Sequence, residues 1–139
     1  IRTNRVTKIV SPVSSIKEVR EKLVELQRNM AKSQDIIMEG RDITTVVFPN
    51  ADVKIYLDAD VEERAKRRYE QNTRKNIEST YEQVLADMKA RDENDKNRQY
   101  GALKIAKDAI VIDSSKKNIN QVVTEIEKIV KEIENKKYN

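Results

Sequence analysis

Gly40-Arg41-Asp42 sets a fixed positive charge beside a carboxylate, directly behind the apolar run Ile36-Ile37-Met38. The chain has only 2 glycines, so one placed there points to a hinge in the backbone. A second constellation lies in KARDENDKNRQ, residues 89–99, where Arg91, Asp95 and Arg98 stand at i, i+4 and i+7 on one helical face. That line runs close to Val84 and Met88, so an inward apolar stripe continues into arginine and aspartate, as on a helix entering a cleft. A third stretch, ERAKRRYE, residues 63–70, carries Arg64, Lys66, Arg67 and Arg68. Planar guanidinium groups beside carboxylates suit the handling of phosphate and other anions. Spacing alone leaves other readings open, because charge runs are usually solvated faces and a basic helix also meets RNA phosphates. With 0 cysteines and 0 histidines, thiol catalysis, histidine acid–base chemistry and the usual zinc sites are excluded. Proton transfer falls to Asp, Glu, Lys or Tyr.

These groups need a scaffold, and the apolar periodicity describes one. Ser15 and Glu18 have capping-box spacing, and Ile16, Val19, Leu23, Leu26 and Met30 share a face, which predicts a helix over 16–32. Residues 36–38 read as a short buried strand and Pro49-Asn50 as a turn. A β-rich run predicts a strand over 53–57. Asp60 with Glu63 would cap a helix over 61–72, and Ser79 with Glu82 one over 80–98. AIVID, residues 109–113, reads as a third strand. Asn118 with Gln121 caps a last helix, whose face is Ile119, Val122, Val123, Ile126, Ile129, Val130 and Ile133. Short apolar strands alternating with amphipathic helices predict an α/β fold, a parallel sheet flanked by helices. Ligands of such sheets sit at the carboxyl ends of strands. Gly40-Arg41-Asp42, Asp58 and Asp113-Ser114-Ser115 all fall at such ends.

The 139 residues suffice for one domain or part of one. Charged residues make up 37%, yet the apolar positions are periodic, so a folded, soluble protein is expected. A net charge of +4 suits an anionic small ligand or nucleic acid equally well. The absence of cysteine fits a reducing cytoplasm. No apolar run approaches the ~20 residues of a membrane span, and no signal peptide pattern is seen. The opening IRTNRVTKIV lacks a methionine and is polar and basic, which suggests the C-terminal piece of something longer.

Taken together, IRTNRV, SPVSSIKEVREKLVELQR, GRDITTVVFPNADVKIYLDADVEERAKRRYE, YEQVLADMKARDENDKNR and DAIVIDSSKKNINQVV resemble the bacterial cytidylate kinases. The resemblance covers nearly the whole chain in the right order. It implies a P-loop nucleoside monophosphate kinase fold, and transfer of the γ-phosphoryl of ATP, with Mg2+, to CMP or dCMP. It implies that Ser11, Arg20 and Asp42 recognise cytosine and that Arg41 holds the CMP phosphate. Asp95 would meet the sugar hydroxyls, braced by Arg91, while Arg98 reaches phosphates and Arg2 lies near the acceptor phosphate. Arg41 and Arg98 are thus the catalytic candidates. Arg67 and Arg68 would belong to a mobile lid that closes over ATP. Such roles suit a reaction that rests on positioning and charge stabilisation. The chain departs from the family in carrying Thr44 where a glycine is usual, which restricts the backbone behind the Arg-Asp pair. It also has Ala102 where a proline is common.

The resemblance further implies a single partial kinase domain. Residues of about 1–35 would close the CMP-binding insertion, about 36–59 and 99–139 would form the core, and about 60–98 the lid with its flanking helices. Nothing in the chain reads G-x-x-x-x-G-K-[ST], so the fold is expected to be incomplete, without the N-terminal strand and phosphate-binding loop. That strand would lie between the strands at 36–38 and 53–57. Mg2+ would be held mainly by the nucleotide and the missing loop, with no metal ligand from these residues. The chain alone is expected to be inactive and able to self-associate, whereas the full-length protein would be a cytoplasmic monomer with no membrane or nucleic-acid partner. Two alternatives stand beside this one: a non-catalytic basic RNA-binding module, disfavoured by the lack of stacking aromatics near the basic stretches, and another nucleoside monophosphate kinase.

Overall fold

Asn118 and Gln121 cap the last helix reciprocally. The Gln121 N–H donates to Asn118 Oδ1 at 2.9 Å, and the Asn118 N–H donates to Gln121 Oε1 at 2.9 Å. That local device starts Ile119–Tyr138, the last of five α-helices in a computed structural model that describes residues 4–138. The others are α1 (Asn4–Ser14), α2 (Lys17–Met30), α3 (Val61–Arg74) and α4 (Tyr81–Asn97), which makes the last helix α5. Two strands, β1 (Ile55–Asp58) and β2 (Ile110–Asp113), pair in parallel in the register Ile55↔Ile110 to Asp58↔Asp113. The helix-rich α/β fold with a parallel sheet is the class the periodicity predicts. No helix among the described residues is long and apolar enough to cross a membrane.

The described residues form two compact units. One joins residues Ala51–Met88 to Lys107–Asn139 and holds β1, β2, α3, the start of α4, and α5. Its core includes Ala59, Ala65, Val84 and Ile112, the last 1% exposed. Buried Ser114 fastens the carboxyl ends of the strands, donating its hydroxyl and its N–H to the Asp58 carbonyl. At the opposite end, buried Lys54 reaches Asp108 Oδ2 at 2.6 Å.

The other unit joins Ile1–Asn50 to Lys89–Ala106. It holds α1, α2, the end of α4, and one turn of π-helix, Ile43–Val47. In that turn the Asp42 carbonyl accepts from Val46 N–H at 2.8 Å and Val47 N–H at 3.2 Å, and Phe48 N–H reaches the Ile43 carbonyl at 2.7 Å. Ile43 and Val47 are buried. Arg28 at the end of α2 donates to the Val46 and Val47 carbonyls at 2.7 and 3.0 Å, so α2 and the π-turn are tied together.

Several local expectations are corrected. Residues 36–38 are not a strand. Ile37 is fully exposed, and the only strand pairing among the described residues joins β1 to β2. A strand needs a neighbouring edge to satisfy its backbone, and none pairs here. Helix α1 carries Pro12 inside it. Ser15 does not cap α2, whose N-cap is Ile16 without a side-chain bond. Asp60 likewise makes no side-chain cap, and its N–H donates to Ser115 Oγ instead. The cap of α4 is Thr80, whose hydroxyl accepts from Gln83 N–H at 3.2 Å, because Ser79 accepts from the Asn72 amide. Helix α3 runs to Arg74, beyond the expected residue 72. Asn76 adopts φ 52°, the Ile77 N–H returns to the Asn72 carbonyl and the Asn76 N–H to that of Thr73. This is a Schellman closure with asparagine in the left-handed position.

Candidate functional site

Asp42 ends the loop that leads into the π-turn, and its carboxylate is 2% exposed. A buried carboxylate needs a partner. Arg20, on α2, provides one by donating from Nη2 to Asp42 Oδ2. Gly40 stands just upstream, and its backbone is not left-handed. A Cβ there would lie 2.7 Å from Ile43 Cγ1. Close packing against the π-turn, not a hinge, is therefore what calls for glycine.

Asp95 is the second buried carboxylate, also 2% exposed. Arg91 on α4 and Arg98 just past its end reach it as the spacing implies. Arg91 Nε lies 3.8 Å from Oδ2, and Arg98 Nη1 lies 3.7 Å from Oδ1. Arg41 donates from Nε to Asp95 Oδ2 at 2.6 Å. Three guanidinium groups thus surround one carboxylate, and the local charge stays positive. Burial of Asp95 removes the reading of this face as solvated. Arg98 also donates from Nε to the Gly101 carbonyl at 2.5 Å, while the Asp95 carbonyl accepts from Leu103 N–H at 2.6 Å. The segment after α4 is thereby folded back onto it.

Arg20, Arg41, Asp42, Arg91, Asp95 and Arg98 line one recess. It is a small recess of about 120 Å³, open to solvent and tighter than the usual small-molecule pocket. Ser14 and Gln27, which sequence reasoning missed, line it too. Gln27 stands seven positions after Arg20 on α2, the same-face spacing that could have found it. The Gln27 Oε1 atom is buried without a hydrogen-bond partner. A recess with arginines along it and two fixed carboxylates can bind a group that combines phosphate with polar donors.

The remaining expected residues lie elsewhere. Arg2 and the side chain of Ser11 fall outside the described residues. Arg67 and Arg68 belong to the other unit, on α3. Arg67 donates from Nη2 to the Ser114 carbonyl at 2.7 Å and from Nε to Glu63 at 3.2 Å, and Arg68 donates to Gln71 at 2.8 Å. In the same unit, the Asp113 carboxyl is held below the usual aspartate range, chiefly by the hydroxyl and then the N–H of Ser115, which donate to its Oδ1 at 2.6 and 2.8 Å. The described residues contain no group of three or more carboxylates placed to hold a metal ion.

Comparison with known proteins gives this geometry a context. The profile of the cytidylate kinase family matches residues 1–134. The cytidylate kinase of Lactococcus lactis subsp. lactis is 48% identical over 133 residues, 96% of this chain and 60% of the relative. That of Caldicellulosiruptor bescii is 47% identical over 126 residues, 91% of this chain and 56% of the relative. Cytidylate kinase 1 of Haemophilus influenzae is 47% identical over 123 residues, 88% of this chain and 53% of the relative. The chain therefore spans between about half and 60% of the length of these curated relatives. On the profile match and these identities, the chain belongs to the cytidylate kinase family.

Proposed function

We propose that this chain forms the acceptor side of a cytidylate kinase that moves the γ-phosphoryl of ATP onto CMP or dCMP, giving CDP or dCDP. The observation that carries the reading is the recess itself, in which a buried carboxylate–arginine pair and an arginine cluster line one pocket. Asp42 accepts from the exocyclic amine of cytosine, and Arg20 donates to the ring acceptors. Their mutual bond fixes both groups before the nucleotide arrives. Arg41 and Arg98 take the phosphate, and Asp95 holds their forks in place while meeting the sugar hydroxyls. Ser11 adds a hydroxyl to the base site, Arg2 a charge near the acceptor phosphate, and Arg91 braces Asp95. Arg67 and Arg68 serve the ATP side on a lid. Their bonds to Ser114 and Gln71 are exchanged for phosphate when ATP binds. Magnesium travels on the nucleotide phosphates, since hard divalent ions of this size keep water and phosphate ligands. The described residues do not build a cage for it. The reaction belongs in the cytoplasm, where ATP is supplied.

The arginines also weigh against RNA binding. Arg20 and Arg98 turn inward onto buried carboxylates, with side chains 13% and 8% exposed, while Arg41 and Arg91 stay partly exposed but lean on Asp95. A backbone-binding surface instead displays its cations.

Because no G-x-x-x-x-G-K-[ST] occurs in residues 1–139, these residues alone are expected to form no ADP from ATP plus CMP. The test joins the N-terminal part of the Lactococcus lactis relative ahead of residue 1. This chimera should convert CMP to CDP, and its Arg41→Lys variant should turn over far more slowly. A folded chimera that binds ATP yet makes no CDP would contradict the proposal.

A further inference from the structure

Gly101 lies in the segment between α4 and β2, and its backbone is left-handed, φ +63°. A Cβ built on it would overlap Asp42 Oδ2, lie 3.0 Å from Arg20 Nε and 3.2 Å from Asp42 Cγ. These atoms are no loose surface tips. Asp42 is 2% exposed, its backbone anchors the π-turn, and its carboxylate is bonded to Arg20. The Gly101 carbonyl meanwhile accepts from Arg98 Nε at 2.5 Å. One residue without a side chain thus touches both halves of the recess, the carboxylate–arginine pair through its α-carbon and the arginine cluster through its carbonyl. The contact with the carboxylate–arginine pair is not visible in the sequence, where Gly101 stands far from Arg20 and Asp42.

Resting on the reading of the recess as a cytidine nucleotide site, we infer that Gly101 is a positioning residue that sets base specificity. It seals the Arg20–Asp42 pair on the side of the 98–103 segment and leaves the pair one orientation. Any side chain at position 101 pushes Asp42 and Arg20 from that orientation, or lifts the segment away from them. Base discrimination is lost in either case. The phosphate half depends on position 101 only through a backbone carbonyl, so affinity shared by all nucleoside monophosphates changes less than the preference among them.

Two variants separate steric clearance from backbone conformation. Gly101→Ala adds the Cβ and strains the left-handed φ, whereas Gly101→Asn adds the Cβ at a residue type that tolerates such a φ. Calorimetric titration of the unaltered protein and both variants with CMP, AMP and cytidine, with thermal melts alongside, reads the effect. The unaltered protein should prefer CMP to AMP, and both variants should reduce that ratio by about tenfold or more. In the Asp42→Ala background, adding Gly101→Asn should change the ratio little, because the two residues act through one contact. Equal binding of CMP and AMP by the unaltered protein would overturn the functional reading and this inference with it. A preference for CMP that survives in folded Gly101→Asn would overturn the inference alone, leaving glycine there for its backbone only. An additive further loss in the Asp42→Ala background would likewise contradict action through Asp42.

Discussion

Arg41 donates from Nε to Asp95 Oδ2 at 2.6 Å across a separation of 54 residues. This bond binds the loop behind Met38 to helix α4, and it seats two expected phosphate and sugar contacts on a shared carboxylate. It also makes Asp95 the point at which three arginines depend on one negative charge.

Asp95→Asn should therefore destabilise the protein more than loss of any single exposed partner. It leaves Arg98, whose side chain is 8% exposed, without a charged acceptor on α4. Arg41 and Arg91 are about half exposed and turn to water. The expected loss is about 1–3 kcal/mol in urea denaturation, against less than ~1 kcal/mol for Arg91→Ala. Equal losses for the two variants would show that Asp95 is not the organising group.

Arg41→Lys keeps the charge and loses the planar fork. CMP affinity should fall roughly tenfold, since a bidentate phosphate contact is replaced by a point charge. Cytidine, which has no phosphate, should bind the variant and the unaltered protein alike. An equal loss for both ligands would place Arg41 in the base or sugar contacts.

Asp108 titrates low because the Lys54 ammonium donates to its carboxylate. A depressed carboxylate adds stability above its ordinary value of 3.8, and that contribution is lost as pH falls through the depressed value. Asp108→Asn should thus melt below the unaltered protein at neutral pH, and the gap should close in acid. A gap independent of pH would mean that the ion pair contributes nothing.

Backbone amides from residue 69 to 78 should exchange faster than those of β1. That stretch is the end of α3 with its closing turn and the loop beyond, where a helix frays first, whereas β1 is hydrogen-bonded to β2 along its length. Protection there equal to that of Ile55–Asp58 would argue against a lid in this segment.

The legible parts of the molecule were the local ones. The Asn118–Gln121 cap and the Arg91–Asp95–Arg98 line lie within one turn or one helix face, so spacing alone carries them. The carboxyl ends of β1 and β2 were equally readable, because β-rich residues marked both strands, whereas Gly40-Arg41-Asp42 follows no strand. Contacts between distant segments left no local signal. Arg20 meets Asp42 across 22 residues, and only the family resemblance linked them beforehand. The π-turn at Ile43–Val47 was not foreseen, since it rests on one carbonyl, that of Asp42, taking two N–H donors. Residues 36–38 had the composition of a strand but no edge to pair with, and pairing is a property of the neighbours. Thr80 displaced Ser79 as a cap because Asn72 had claimed the serine hydroxyl from another helix.

The central claim is that Arg20 and Asp42 read a cytosine edge, and calorimetry tests it most directly. The protein should bind CMP and dCMP at least about a hundredfold more tightly than AMP or GMP, because a larger purine cannot set its amine on Asp42 and a ring acceptor on Arg20 within the same recess. Asp42→Ala should erase that preference while the fold, checked by circular dichroism, persists. Equal affinity for CMP and AMP in the unaltered protein, or an undiminished preference in Asp42→Ala, would contradict the account.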